Sequence, residues 1–66
     1  MKEIKIPKEL YSFKCIKRAV EDYDSLAEIV IGQDKDSWIA SFSNCKYDEL
    51  RTSREFENYL IELENQ

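Results

Sequence analysis

"LAEIVIGQDKDSWIASFS", residues 26–43, decides the architecture of this chain. "LAEIVIG" is rich in β-branched residues, which fit a pleated, half-buried surface. It alternates, so that Ala27, Ile29 and Ile31 share one face while Glu28 and Val30 share the other. "WIASFS" repeats the pattern with Trp38, Ala40 and Phe42 aligned and Ile39, Ser41 and Ser43 opposite. Between the two runs, "GQDKDS" is polar and holds the only glycine of the chain, as the loop of a hairpin would. The hairpin leaves room for one strand and one helix before it and one helix after it.

Upstream, "EIKI" alternates and sets Ile4 and Ile6 on one face of a short strand. Pro7 ends that ladder because it has no N–H to donate, and its fixed φ suits the first turn of a helix. From Lys8 to Tyr23 the spacing becomes helical: Leu10, Phe13, Ile16, Val20 and Tyr23 fall on one core-facing stripe. Tyr11 and Cys15 lie four apart on roughly the opposite side, a small second apolar strip. "DYDS" reads as a turn. After the hairpin, "NCKYDELR" leads out of the sheet, and "TSREFENYLIELENQ" (52–66) reads as a closing helix. Thr52 with Glu55 fits a capping box, in which each side chain satisfies a backbone N–H near the other. Phe56, Tyr59, Leu60 and Leu63 form its inward stripe. Ile61 points away from that stripe, and Glu57, Glu62 and Glu64 are expected in solvent.

The order strand–helix–strand–strand–helix defines an α+β chain. A right-handed crossover from the first strand to the second, with the third returning between them, gives an antiparallel sheet ordered 1-3-2. Both helices then cover one face, a two-layer sandwich like a ferredoxin-like fold lacking its last strand. Residues 1–66 form one domain. Such a sheet keeps a second face and two open edges. Val30 and Ile39 make an apolar patch on that otherwise polar face, a candidate partner site.

Composition narrows the function. Sixty-six residues lie near the lower limit for folding without a metal, a disulfide or a partner, yet 42% hydrophobic content provides a core. The net charge of −4 argues against nucleic acid, which demands clustered cations. The charge is uneven: residues 1–18 carry a local excess of cations and the remainder an excess of acids, which reads first as a solvated helix face and, as the alternative, as a basic face that would orient a charged partner. No run is long and apolar enough for a signal peptide or a membrane span, so a cytoplasmic location with no membrane contact is expected. Cys15 and Cys45 lie far apart in a chain without histidine, which argues against a four-ligand zinc site from this chain alone and gives neither thiol an imidazole base. In a reducing compartment they are expected as small, partly buried side chains, even though Lys14 and Lys17 flank Cys15. Glu21, Asp22 and Asp24 lack the spacing of a calcium loop, and "GQDKDS" is no phosphate loop. No enzyme, cofactor or metal is expected.

What remains is binding. Tyr11, Tyr47 and Ile61 are candidate contact residues, since exposed aromatic anchors carry much of an interface's energy; the alternative is packing, with Tyr47 covering the sheet edge and Tyr11 lying flat on the helix. "EFENYLIEL" at 55–63 resembles the EF-x-N-x-L stretch of the HxsD-like proteins through Glu55, Phe56, Asn58 and Leu60. These are small accessory proteins of His-Xaa-Ser systems, encoded with radical SAM enzymes thought to modify a ribosomal peptide. The upstream order, a helix such as "YSFKCIKRAVEDY" before a hairpin, is similar more loosely. Where the family's helix ends in a DY-x-LRE-like sequence, this chain reads "ELENQ". The resemblance implies a non-catalytic accessory role beside a peptide-modifying enzyme and marks Asn58, which amphipathicity does not require. The expected function is therefore a protein- or peptide-interaction module. The alternative is a self-associating structural module, a homodimer through a sheet edge or the open face.

Overall fold

The computed structural model describes residues 2–66. The elements run β1 (Lys2–Pro7), α1 (Phe13–Asp22), β2 (Glu28–Gln33), β3 (Ser37–Ser43) and α2 (Glu49–Glu64). The three strands form one antiparallel sheet in the order β1-β3-β2. The register pairs Ile4 with Ala40 and Ile6 with Trp38 on one side of β3. On its other side Ile29 meets Phe42 and Ile31 meets Ala40. Ile4, Ile6, Ile29, Ile31, Trp38, Ala40 and Phe42 thus fall on the helix-covered face and Val30 and Ile39 on the other, because a period of two keeps register and face together.

The core joins Ile6, Ala40 and Phe42 of the sheet to Ile16 and Ala19 of α1 and to Phe56, Leu60 and Leu63 of α2. Phe42 meets Phe56 edge-on at 5.3 Å, and Tyr23 meets the same ring edge-on at 5.5 Å. Such offset and edge contacts are the favoured aromatic geometry. The inward stripe expected of the closing helix is correct, and Ile61 is 46% exposed on its outer side.

Several local expectations are corrected. The first helix does not begin at Lys8. Residues 8–10 form a turn in which the Leu10 and Tyr11 N–H groups donate to the Pro7 carbonyl, and Ser12 caps α1 by accepting from Cys15 N–H. Leu10 therefore leaves the core stripe and is 66% exposed. Tyr11 and Cys15 do not lie opposite the core; both are half-buried and pack against it. The closing helix starts earlier than Thr52. Asp48 is its cap, accepting from Arg51 N–H at 3.0 Å, while Thr52 and Ser53 are buried inside the helix. Glu55 pairs with Arg51 one turn back instead of closing a capping box with Thr52.

Gly32 is not in the hairpin loop. It is a strand residue of β2 opposite Ile39, with negative φ. The turn itself is built by Asp34, whose carboxylate accepts from the Asp36 and Ser37 N–H groups. That local side-chain bond does the work usually given to a turn glycine. Asn44, leaving β3, takes the left-handed conformation with φ of 49°. Glu64 is not simply solvated either: it accepts from both the N–H and the hydroxyl of Ser12, tying the end of α2 to the start of α1. Cys15 and Cys45 are free thiols.

Candidate functional site

The six sequence candidates separate onto different surfaces. Val30 and Ile39 come together on the sheet face away from the helices, where Val30 is 66% exposed and Ile39 half-buried. Their cross-strand partners are Ser41 and Gly32, so the two side chains are diagonal neighbours on adjacent strands. Tyr11 lies in the other layer, in a pocket of about 230 Å³ between β1 and α2 that Pro7, Leu10, Glu57 and Leu60 also line. Asn58 sits beside Glu57 and Arg54 in a shallow depression on the outside of α2. Ile61 lies on that same outer side, one helical turn beyond Glu57. Tyr47 stands apart in the connection to α2, exposed, with the Lys46 ammonium 5.8 Å from its ring.

Sequence reasoning missed a third region, at the β2 edge. Phe13, Ile31, Gly32, Gln33 and Trp38 line a depression of about 330 Å³ on the helix side of β2. Phe13 is 49% exposed and tilts against Trp38 at 5.0 Å, with the Lys8 ammonium over the indole. The Trp38 Nε1–H is buried and has no acceptor among the described residues. No sequence signal marked this region, because Phe13 was assigned to the core-facing stripe of the first helix.

The backbone bonding of the two edges follows from the register. Asp34 N–H donates to the Ser37 carbonyl at 2.9 Å. Hydrogen-bonded pairs alternate along an antiparallel ladder, so 32/39, 30/41 and 28/43 are bonded pairs as well. Ile29, Ile31 and Gln33 then aim their N–H and C=O groups outward. On the opposite edge Lys8 N–H donates to Asp36, which makes 6/38, 4/40 and 2/42 the bonded pairs. There Glu3, Lys5 and Pro7 face outward. Proline donates nothing, and charged residues, lysine above all, discourage added strands. The β1 edge is guarded. The β2 edge offers three donors and three acceptors with no proline and no lysine in the strand.

The ionisable groups are structural in their surroundings. Backbone N–H donors from Asp36 and Ser37 hold the Asp34 carboxyl below its ordinary range, with Lys5 at 3.8 Å adding to this. The Ser12 N–H does the same for Glu64. Tyr59 donates its hydroxyl to Asp22, which raises its pKa, and burial raises that of Tyr23. Burial, then Glu49, pushes the Cys45 thiol up, the wrong direction for a nucleophile.

Among the described residues no group of His, Cys, Asp or Glu is arranged to hold a metal ion, and no helix is long and apolar enough to cross a membrane. Compared with known proteins, the chain matches no family model, no curated protein and no solved structure. None of these comparisons links the chain to the HxsD-like proteins.

Proposed function

We propose that this chain is a non-catalytic binding module that pairs an extended strand along β2. The observation that carries the reading is the asymmetry of the two edges: β2 presents three outward donor–acceptor pairs, unguarded, whereas β1 ends in Pro7 between lysines. An added strand gains affinity from the backbone and selectivity from pockets for alternate side chains. Here one set of side chains would meet the Phe13–Ile31–Trp38 depression, and the other Val30 and Ile39 on the open face. The absence of any imidazole in the chain to activate either thiol supports a role without chemistry of its own. An accessory role beside a peptide-modifying enzyme, as the resemblance at 55–63 implies, is one setting for such a module.

Selection of extended peptides from a displayed random library, followed by mapping of amide shifts on the labelled protein, tests this. Binders should perturb residues 28–33 and lose affinity when Val30 is changed to Lys. Perturbations confined to Tyr11, Glu57 and Asn58 would move the binding surface to the α2 side and refute the edge reading.

A further inference from the structure

We infer that a second copy of this chain is an occupant of the β2 edge, joined as an antiparallel β2–β2 pair whose two-fold axis passes through Val30. This rests on the strand-binding reading above and names the partner. The reasoning is one of register. A two-fold axis normal to the sheet keeps each side chain on its own face, and the outward groups belong to residues 29, 31 and 33. Odd residues must therefore lie opposite odd residues, which leaves two registers with substantial overlap.

With the axis at Ile31, Glu28 lies directly opposite Asp34 of the second copy, at both ends of the interface. Like charges placed opposite one another in a sheet are destabilising. With the axis at Val30, Ile29 pairs with Ile31 of the second copy, twice by symmetry, and Val30 meets its own equivalent. These are β-branched cross-strand pairs, which stabilise a sheet. Glu28 then lies opposite Gly32 of the second copy. A Cβ built on Gly32 would meet no atom within 4 Å, so the space a side chain would take is open to that carboxylate. On the helix side, Ile29 of each copy enters the depression lined by Phe13, Ile31 and Trp38 of the other. The register centred on Val30 bonds Ile29 to Ile31 twice and leaves Gln33 unpaired, whereas the register centred on Ile31 would pair all three outward residues; the Glu28–Asp34 opposition and the Ile29–Ile31 packing decide for Val30.

Size sets the strength. A six-residue strand is ~20 Å long and the molecule is 16 Å in its shortest dimension, so the edge projects about 320 Å² per copy. Twice that falls below the roughly 1,200 Å² of stable interfaces. The dimer is weak and forms with rising concentration.

Sedimentation equilibrium from micromolar to millimolar protein should show the mass rising from 7.9 kDa toward twice that value. Val30→Lys, at an exposed position, brings two ammonium groups to the axis and should weaken association by about tenfold or more. Synthetic protein N-methylated at Ile31 loses an outward N–H while keeping the bonds to β3, and should stay monomeric with unchanged circular dichroism. In a mixed-label dimer, the Val30 Hα protons of the two copies should show a mutual contact. Association that survives the N-methyl group would place the interface on the open face and overturn the proposal, as would Ile31–Ile31 contacts in place of Val30–Val30. A chain that stays monomeric at millimolar concentration yet binds extended peptides along β2 retracts the second copy alone. One that does neither retracts both readings.

Discussion

Phe56→Ala tests whether α2 closes the core as described. The ring is fully buried and receives two edge-on contacts, from Phe42 at 5.3 Å and from Tyr23 at 5.5 Å. Truncating a buried phenylalanine costs about 3–5 kcal/mol, part of it from the cavity left behind. Each lost aromatic pair accounts for about 0.5–1.5 kcal/mol within that range, so the upper half is expected. At 0.05–0.15 kcal/mol per residue, a domain of this length has a stability of about 3–10 kcal/mol. Phe56→Ala should therefore leave little of the native state, and Phe56→Leu, which keeps most of the volume, provides a measurable step of about 1–2 kcal/mol. Ile61→Ala, on the outer side of the same helix, should cost under about 0.5 kcal/mol. Urea denaturation of the three variants, followed by circular dichroism and Trp38 fluorescence, compares the midpoints at constant m. Equal losses for Phe56→Leu and Ile61→Ala would mean that the helix is rotated, and the surface formed by Glu57, Asn58 and Ile61 would no longer exist as described.

Three further outcomes are expected. Hydrogen bonds hold the Glu64 and Asp34 carboxyls below their ordinary values, so the stability they contribute is present above the unfolded-state pKa and lost as pH falls through the depressed folded values. Urea midpoints should fall on the acid side, and Glu64→Gln should flatten part of that decline; an unchanged acid limb would remove the Ser12–Glu64 tie from the account. Asn44→Ala, in the left-handed region, should destabilise by about 1 kcal/mol in thermal or urea unfolding, while Asn44→Gly stays near neutral. Gly32→Thr, at negative φ with open space for its side chain, should stabilise the monomer by about 0.5–1 kcal/mol and weaken self-association, read by urea melts and sedimentation.

The strands were legible because alternation assigns each side chain to a face, and their order followed from a right-handed crossover; the residue-by-residue register was not legible, since a shift of two residues keeps every face. Helix starts were not. At Lys8–Tyr11 apolar spacing continued a helical pattern, but the chain folded a turn onto the Pro7 carbonyl and let Ser12 begin the helix. At the second helix Thr52 and Glu55 imitate a capping box, although the cap is Asp48, four residues earlier. Both errors arise because several side chains near a helix start can serve as caps, and tertiary contacts select among them. The open-face patch of Val30 and Ile39 was readable from alternation. The Phe13–Trp38 depression was not, since it depends on how far α1 reaches along β2.

The β1 edge is the natural rival to β2 as a docking site. In a complete ferredoxin-like fold a fourth strand lies beside β1, and the pocket holding Leu10, Tyr11 and Leu60 flanks that side. Its backbone nevertheless works against a guest. Of the three outward residues on β1, Pro7 has no N–H, leaving donors only at Glu3 and Lys5, and the side chains of Lys2 and Lys5 border the same edge. A strand arriving there would gain fewer backbone bonds. At β2 all three outward residues donate, and the one weak point, Gly32, removes a side chain where an incoming strand needs room. The features that protect β1 are those that β2 lacks, so the sheet has one closed edge and one open edge, and strand addition belongs to the open one.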